Sequence, residues 1–347
     1  VIRAESFDPL DPRIEVGKWV DSTFDWLTDT FEPVLNFISD GLSTGYDSLS
    51  SALRDPSLAM MIVLFALLGW LACSQLDNLR SLPAAGRGAI VVVAGAVGAG
   101  AHVLTTDLEA PFLGMIAAFA LLGWFVRSWL FGLFTVVAFY LVAAMGQWDR
   151  AMQTLSLVLI AAAIATILAI PLGVWAAKSP TVSQVVRPVL DFMQTMPAMV
   201  YLIPTLIAFG IGVVPGMIST VIFAMPPGVR FTELAIRQVD SEVVEAGQAF
   251  GSPPFRILRQ IQLPLALPTI MAGINQVIML ALSMVVLAAM VGASGLGLEV
   301  VAGLQGLQVP RGVEAGLAVV VLAIYLDRVV AALADRAPVV RASRVRD

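Results

Sequence analysis

Charge is the first thing this chain is short of. Asp, Glu, Lys and Arg make up 13% of its 347 residues while 59% are hydrophobic, against roughly 25% charged in an ordinary soluble domain. So little charge excludes a water-facing surface over most of the length and predicts an all-α integral membrane protein. Cysteine is nearly absent. The single Cys73 excludes an intramolecular disulfide and any CxxC metal or redox motif. The one histidine, His102, falls at the end of an apolar run near Asp107. With no second titratable partner in the core it reads as structural rather than as a proton relay. No GxxxxGK[ST] phosphate loop occurs. No basic segment with a cleavage site precedes an apolar stretch, so no secretory signal peptide is expected. The net charge of −5 gathers in the N-terminal segment, and no nucleic-acid partner is expected.

Long apolar runs are abundant. A bilayer core about 30 Å thick needs roughly 20 apolar residues per helix, and candidates lie at 57–73, 88–104, 110–126, 129–146, 154–177, 198–212, 214–227, 266–292 and 313–333. The two runs within 198–227 are parted only by Gly210, Gly212 and Pro215, a tight break that could instead kink one segment. Arginine placement favours two. Arg80 and Arg87, Arg127, Lys178 and Arg187, Arg230 to Arg259, and Arg328 to Arg346 make every second connection basic, while Asp107 and Glu109 mark an acidic one. The positive-inside rule then puts the N-terminus outside and the C-terminus in the cytoplasm, which requires about nine spans.

Residues 1–55 form an acidic segment in which Val20, Phe24, Leu27, Phe31, Val34, Ile38, Leu42, Tyr46, Leu49 and Leu53 recur at steps of three and four. This is the apolar stripe of a long amphipathic helix, lying on the outer leaflet or packed on its own membrane domain or a partner copy. Gly41 and Gly45 are expected to bend it. Residues 56–148 read as scaffold spans, where FALLGW occurs at 65–70 and again at 119–124, suggesting a duplicated helical hairpin. Trp70, Trp124, Trp129, Trp148 and Trp175 fall at span ends, as an aromatic belt would. Residues 149–335 read as the core, and 336–347 as a basic cytoplasmic tail.

One polar island interrupts the core. Residues 245–264 read EAGQAFGSPPFRILRQIQLP. Asp240 or Ser241 can cap a helix whose first turn carries Glu242 and Glu245, and Gly251 can end it in the left-handed conformation. Pro253 and Pro254 suit the start of a second short helix, with Arg256 and Arg259 on its polar face and Phe255, Leu258 and Ile261 on an apolar one. Pro264 and Pro268 are expected to break that helix before the next span. The product is a stiff bent loop over 240–264.

These residues carry a resemblance. Glu245, Ala246, Gly251, Ile261, Leu263 and Pro264 match the spacing of the EAA loop of ATP-binding cassette importer permeases, with Gly247 standing where the pattern prefers alanine. The stretches IPLGVWAAKSP (170–180), RPVLDFMQTMPAMVYLIPTLIAFGIGVVPG (187–216), FAMPPGVRFTELAIRQV (223–239) and 262–297 are similar to the permease subunits of glycine betaine, proline betaine and choline importers. The resemblance implies a type I importer permease fold with extra N-terminal scaffold helices. It also implies a multi-pass bacterial inner-membrane location and alternating access. The chain would bind no cofactor, with ATP and Mg on a cytoplasmic ATP-binding subunit that Glu245, Ala246, Gly251, Arg256, Arg259, Ile261, Leu263 and Pro264 would engage. An extracytoplasmic substrate-binding protein, a second permease copy forming a homodimer, and membrane lipid complete the expected partners. The chain would be no enzyme.

Within the core, Pro197, Pro204, Gly210, Gly212, Pro215, Pro226 and Pro227 are expected to break the spans and free backbone carbonyls at membrane depth. A quaternary ammonium donates no hydrogen bond, so its path should offer carbonyl dipoles and aromatic faces. Tyr201, Phe209, Asn275, Gln276 and Ser283 are the candidate lining residues, with ordinary polar packing between helices as the alternative. A permease for taurine or nitrate is the rival within the superfamily. An ion-coupled carrier is the rival outside it, but it would place ionisable groups mid-span or repeat the core inverted.

Overall fold

The computed structural model describes residues 16–75, 84–107, 110 and 112–335, and every regular element among them is helical. Arg80, Glu109 and the tail at 336–347 lie outside the described residues. The first helix, α1 (Val16–Arg54), runs unbroken through Pro33, Gly41 and Gly45. The expected bend is absent; no neighbour comes within 4 Å of either glycine's would-be Cβ, so no contact forces a kink there. Among the stripe residues whose side chains are described, cover comes near the helix end. Tyr46 and Leu53 are buried and Leu42 and Leu49 pack on the core, whereas Leu27, Phe31, Val34 and Ile38 stay exposed.

Four helices follow: α2 (Leu58–Gln75), α3 (Ala84–Asp107), α4 (Phe112–Val126) and α5 (Trp129–Ala144). They pair as α2 with α3 and α4 with α5. The two FALLGW copies occupy equivalent places. Gly69 meets Ala94 of α3 and Gly123 meets Phe131 of α5, while Trp70 and Trp124 both face outward. Trp148 departs from the belt, being buried between Phe112 and Phe139.

The core begins with α6 (Trp148–Lys178) and α7 (Pro180–Thr195). Ser179 caps α7, accepting from Val182 N–H, and Pro180 takes the first helical position. After a 3₁₀ turn at Ala198–Tyr201 come α8 (Leu202–Phe209) and α9 (Val213–Arg237). The break between α8 and α9 is real, with Gly210 at φ +71° and Gly212 at φ +157°. Pro197 also stands at a real break, between Thr195 and Ala198, where the chain turns by 107°. The remaining expected breaks are absent. Pro204 and Pro215 lie in the first turns of α8 and α9, where a backbone N–H has no intrahelical partner to lose. Pro226 and Pro227 sit inside continuous α9, clasped between α6 and α12 (Leu263–Ala289). Those contacts are close because Gly173 of α6 faces the Val229 carbonyl and Thr232, Gly228 faces Ala169 and Val277, and Gly273 faces Phe231.

Beyond α9 lie α10 (Ser241–Ala249) and α11 (Pro254–Ile257), a π turn over Leu258–Gln262, then α12, α13 (Leu296–Gln305) and α14 (Val309–Ala334). Among the described residues five helices are long and apolar enough to cross a membrane. Two bent pairs pass the same test jointly, Trp26–Arg54 with Leu58–Trp70 at 82° and Pro180–Thr195 with Ala198–Phe209 at 107°. With the shorter apolar helices α4 and α5 the count of nine is compatible, though the spans are drawn differently. The run at 198–212 reaches crossing length only together with α7, and 214–227 is the first part of α9.

Candidate functional site

The polar island folds as an elbow. Its first limb, α10, starts at Asp240, whose carboxylate accepts from Glu242 N–H at 2.9 Å. Gly251 ends it at φ +70°, where Ser252 N–H donates to Gly247 O at 3.2 Å and Gly251 N–H to Gln248 O at 2.8 Å. These are the paired bonds of a glycine-terminated helix. Nothing lies within 4 Å of a Cβ placed on Gly251, so its demand is one of backbone conformation alone. The limbs close on Gly247, whose would-be Cβ is 2.7 Å from Cδ1 of Ile261 and 3.6 Å from Cγ1 of Ile257. An alanine here would require the end of the Ile261 side chain to shift.

Two expectations for the second limb are corrected. Phe255 does not share a buried face with Leu258 and Ile261. It points outward, 70% exposed, beside Phe250 at 89%, and Ile257 supplies the buried contact instead. Pro264 and Pro268 do not break the chain either, because 254–289 is one helix of 36 residues. In the π turn Leu263 N–H reaches Leu258 O, one residue further back than an α-helix would. That wider turn falls where Pro264 would otherwise obstruct the ladder. Glu245, Ala246, Arg256 and Arg259 are exposed; Ile261, Leu263 and Pro264 are partly buried.

The elbow is fastened to the bundle by polar side chains. Lys178, at the end of α6, donates to Oε1 of Gln262 in the π turn. Both line a cleft of about 330 Å³ with Arg237, Val244, Glu245 and Gln248. About two turns before the elbow, the Glu233 carboxylate of α9 is 4% exposed. It accepts from Ser183 Oγ at 2.7 Å and Arg187 Nη2 at 2.9 Å, both on α7, and pairs with Arg237 Nη2 at 3.0 Å. Arg237 also donates to Ala176 O of α6 at 3.0 Å. At the opposite end, Glu299 of α13 is 3% exposed, paired with Arg150 of α6 at 3.0 Å and held in bidentate fashion by Arg311 of α14. Beside it Tyr46 of α1 bonds Ser294 at 2.8 Å, and Arg54 meets Asp149 at 3.3 Å.

Neither carboxylate is among the candidate residues read from the sequence. Arg230, Glu233 and Arg237 at helical spacing, and Glu299 twelve residues before Arg311, were the available signals.

The five candidate lining residues are not brought to one surface. Tyr201 is buried at the bend between α7 and α8, donating to Met193 O with its ring edge-on to Phe223. Phe209 packs on the core. Asn275 donates to Asp327 of α14 at 2.8 Å, while its own Oδ1 has no partner. Gln276 and Ser283 alone share a face, one uncovered stripe of α12 that also carries Ala272 and Met279. His102 is partly buried, its carbonyl accepting from Thr105 and Thr106, and among the described residues no group of His, Cys, Asp and Glu could hold a metal.

A bundle of membrane-length helices with one stiff polar elbow is the architecture of a transport-system permease. Residues 169–337 match the family described as binding-protein-dependent transport system inner membrane component. The chain is 51% identical over 219 residues to the glycine betaine transport system permease protein OpuAB of Bacillus subtilis, covering 63% of this chain and 78% of that protein. It is 50% identical over 234 residues to the glycine betaine/carnitine transport permease protein GbuB of Listeria monocytogenes, covering 67% and 83%. Against the glycine betaine/proline betaine permease ProW of Escherichia coli it is 47% identical over 218 residues, and the match spans 62% of that protein. The chain belongs to this family of multi-pass inner-membrane transport components.

Proposed function

We propose that the chain is the membrane-spanning permease of an ATP-driven importer of quaternary-ammonium osmoprotectants, working by alternating access. The observation that carries the mechanism is the elbow. Its turn is fixed by Gly251, its limbs lock at Gly247, and its tip offers Phe250 and Phe255 to a partner. In this reading the elbow faces the cytoplasm and docks on a separate ATP-binding subunit. A binding protein delivers solute at the opposite end, near α13. A second copy of the chain completes the pathway, with the N-terminus outside and the C-terminus inside. The scaffold over 56–148 braces the core, and residues 240–264 receive the force. The uncovered stripe of α12 with Gln276 and Ser283 is the proposed lining. Identities of 47–51% to three glycine betaine permeases support the substrate class.

The test is uptake of labelled glycine betaine into proteoliposomes holding this chain, its ATP-binding subunit and the binding protein, with choline, carnitine and proline as competitors. ATP-dependent uptake displaced by the quaternary ammonium compounds is the expected result. Uptake without hydrolysis, or no displacement by any of them, would reject the reading.

Replacing Gly251 by valine tests the elbow itself. A β-branched residue forced to φ near +70° is strained by about 1–2 kcal/mol or more, so the turn should open and the tip should lose its aim. Solute moved per ATP is expected to fall roughly tenfold while hydrolysis persists. Both rates are measured on the same vesicles, and a ratio equal to that of the unaltered protein contradicts the assignment.

A further inference from the structure

How motion at the elbow would reach the rest of the bundle is a separate question, and one buried carboxylate stands on the route. Helix α9 runs into the elbow through only Gln238, Val239 and Asp240. Helix α12 is fused to the elbow's second limb. The bent segment α7–α8 has no covalent link of that kind; it leaves α6 at Ser179 and returns to α9 only at the opposite end.

The hold of α7 on its neighbours is small. Leu190 is its one fully buried apolar side chain, packed with Ala169 and Val229 and joined by the partly buried Val186 and Met193, while Val185, Val189 and Phe192 point away from the bundle. A polar cluster adds to this hold. Ser183 and Arg187, one turn apart on α7, both converge on Glu233 of α9, and Arg237 closes the same carboxylate from the elbow side. A carboxylate this enclosed is stable only while its donors stay with it, since an unpaired buried charge is costly. A shift of the last turns of α9 must therefore carry Ser183 and Arg187 along or break the cluster.

We propose that Glu233 is the positioning residue that passes displacement of the elbow to α7 and, through the 107° bend, to α8. The inference rests on the coupling role proposed above. Its test reads solute moved per ATP hydrolysed, in vesicles holding this chain, the ATP-binding subunit and the binding protein. A merely structural part would lower uptake and hydrolysis together and leave that ratio alone. Glu233→Gln keeps the shape and removes the charge, and Arg187→Gln removes the donor from α7. Each is expected to lower the ratio at least roughly fivefold, and the double variant should be no worse than either, because both remove one shared interaction. Arg230→Gln, which breaks the more exposed pair with Asp191 between the same two helices, should stay within about twofold.

An unchanged ratio in Arg187→Gln overturns the inference, as does an equal fall in Arg230→Gln or additive losses in the double variant. Should Glu233→Gln fail to assemble, Arg187→Gln decides alone, since that side chain is more than half exposed and its loss leaves the helix packed. Gly251→Val is run alongside. If it uncouples while Arg187→Gln does not, this inference fails and the elbow assignment stands; if Gly251→Val keeps the ratio, the coupling role falls and takes this inference with it.

Discussion

Changing Phe250 and Phe255 together to aspartate should weaken association with the ATP-binding subunit by about a thousandfold. Both rings stand at the tip of the elbow, 89% and 70% exposed, a costly arrangement for aromatic surface unless a partner covers it. Aromatic anchors seated in a partner pocket commonly contribute about 2 kcal/mol or more each. Losing two removes roughly 4 kcal/mol, which is close to three orders of magnitude in Kd. The carboxylates add a desolvation penalty in the same place. Because neither ring contributes to the buried core, the double variant should fold and insert as the unaltered chain does. A binding titration of the detergent-solubilised permease with the ATP-binding subunit reads the effect directly. A Kd within a few fold of the original would show that the tip is not the contact.

The second large effect is one of stability. Glu299→Ala removes the carboxylate that holds Arg150 of α6 and Arg311 of α14 on either side of α13. Two guanidinium groups are then left facing one another without a counter-charge. Breaking such a buried pair costs about 3–5 kcal/mol. The lower end applies here, because both arginines are partly exposed and can turn their heads to water. The expected outcome is a fall of several degrees in the unfolding midpoint in detergent, followed by tryptophan fluorescence, with a smaller fall for Glu299→Gln, which retains an acceptor. An unaltered midpoint for the alanine variant would mean that the cluster does not hold this end of the bundle.

Most of the architecture was legible because lipid asks one crude thing of a sequence, apolar length; the runs at 88–104, 154–177 and 313–333 fall within helices of the bundle, and that at 266–292 overruns its helix only past Ala289. The turn at Gly251 and the break at Gly210 and Gly212 were equally readable, since each needs a backbone conformation that other residues resist. Proline misled in proportion to context. Pro204 and Pro215 look like breakers in isolation, yet they begin helices. Pro264 is passed by a π turn that no local pattern announces. The buried charges were hidden for another reason. Glu233 meets Ser183 and Arg187 across 50 and 46 positions, so only the folded contact tells a clasped carboxylate from a misplaced one. Phe255 was assigned inward by helical periodicity, but a helix of four residues followed at once by a wider turn does not hold that period. The candidate lining residues were chosen by chemical type, and type alone could not say that Asn275 is turned to Asp327 while Gln276, its neighbour, faces out.

The unbroken helix from Pro254 to Ala289 has a mechanical corollary. At 1.5 Å per residue its 36 residues extend roughly 54 Å, with no linker between the elbow's second limb and the far end of the span. Displacement of that limb would be carried along one element, and at this length a tilt of roughly 5° would move the far end by roughly 5 Å.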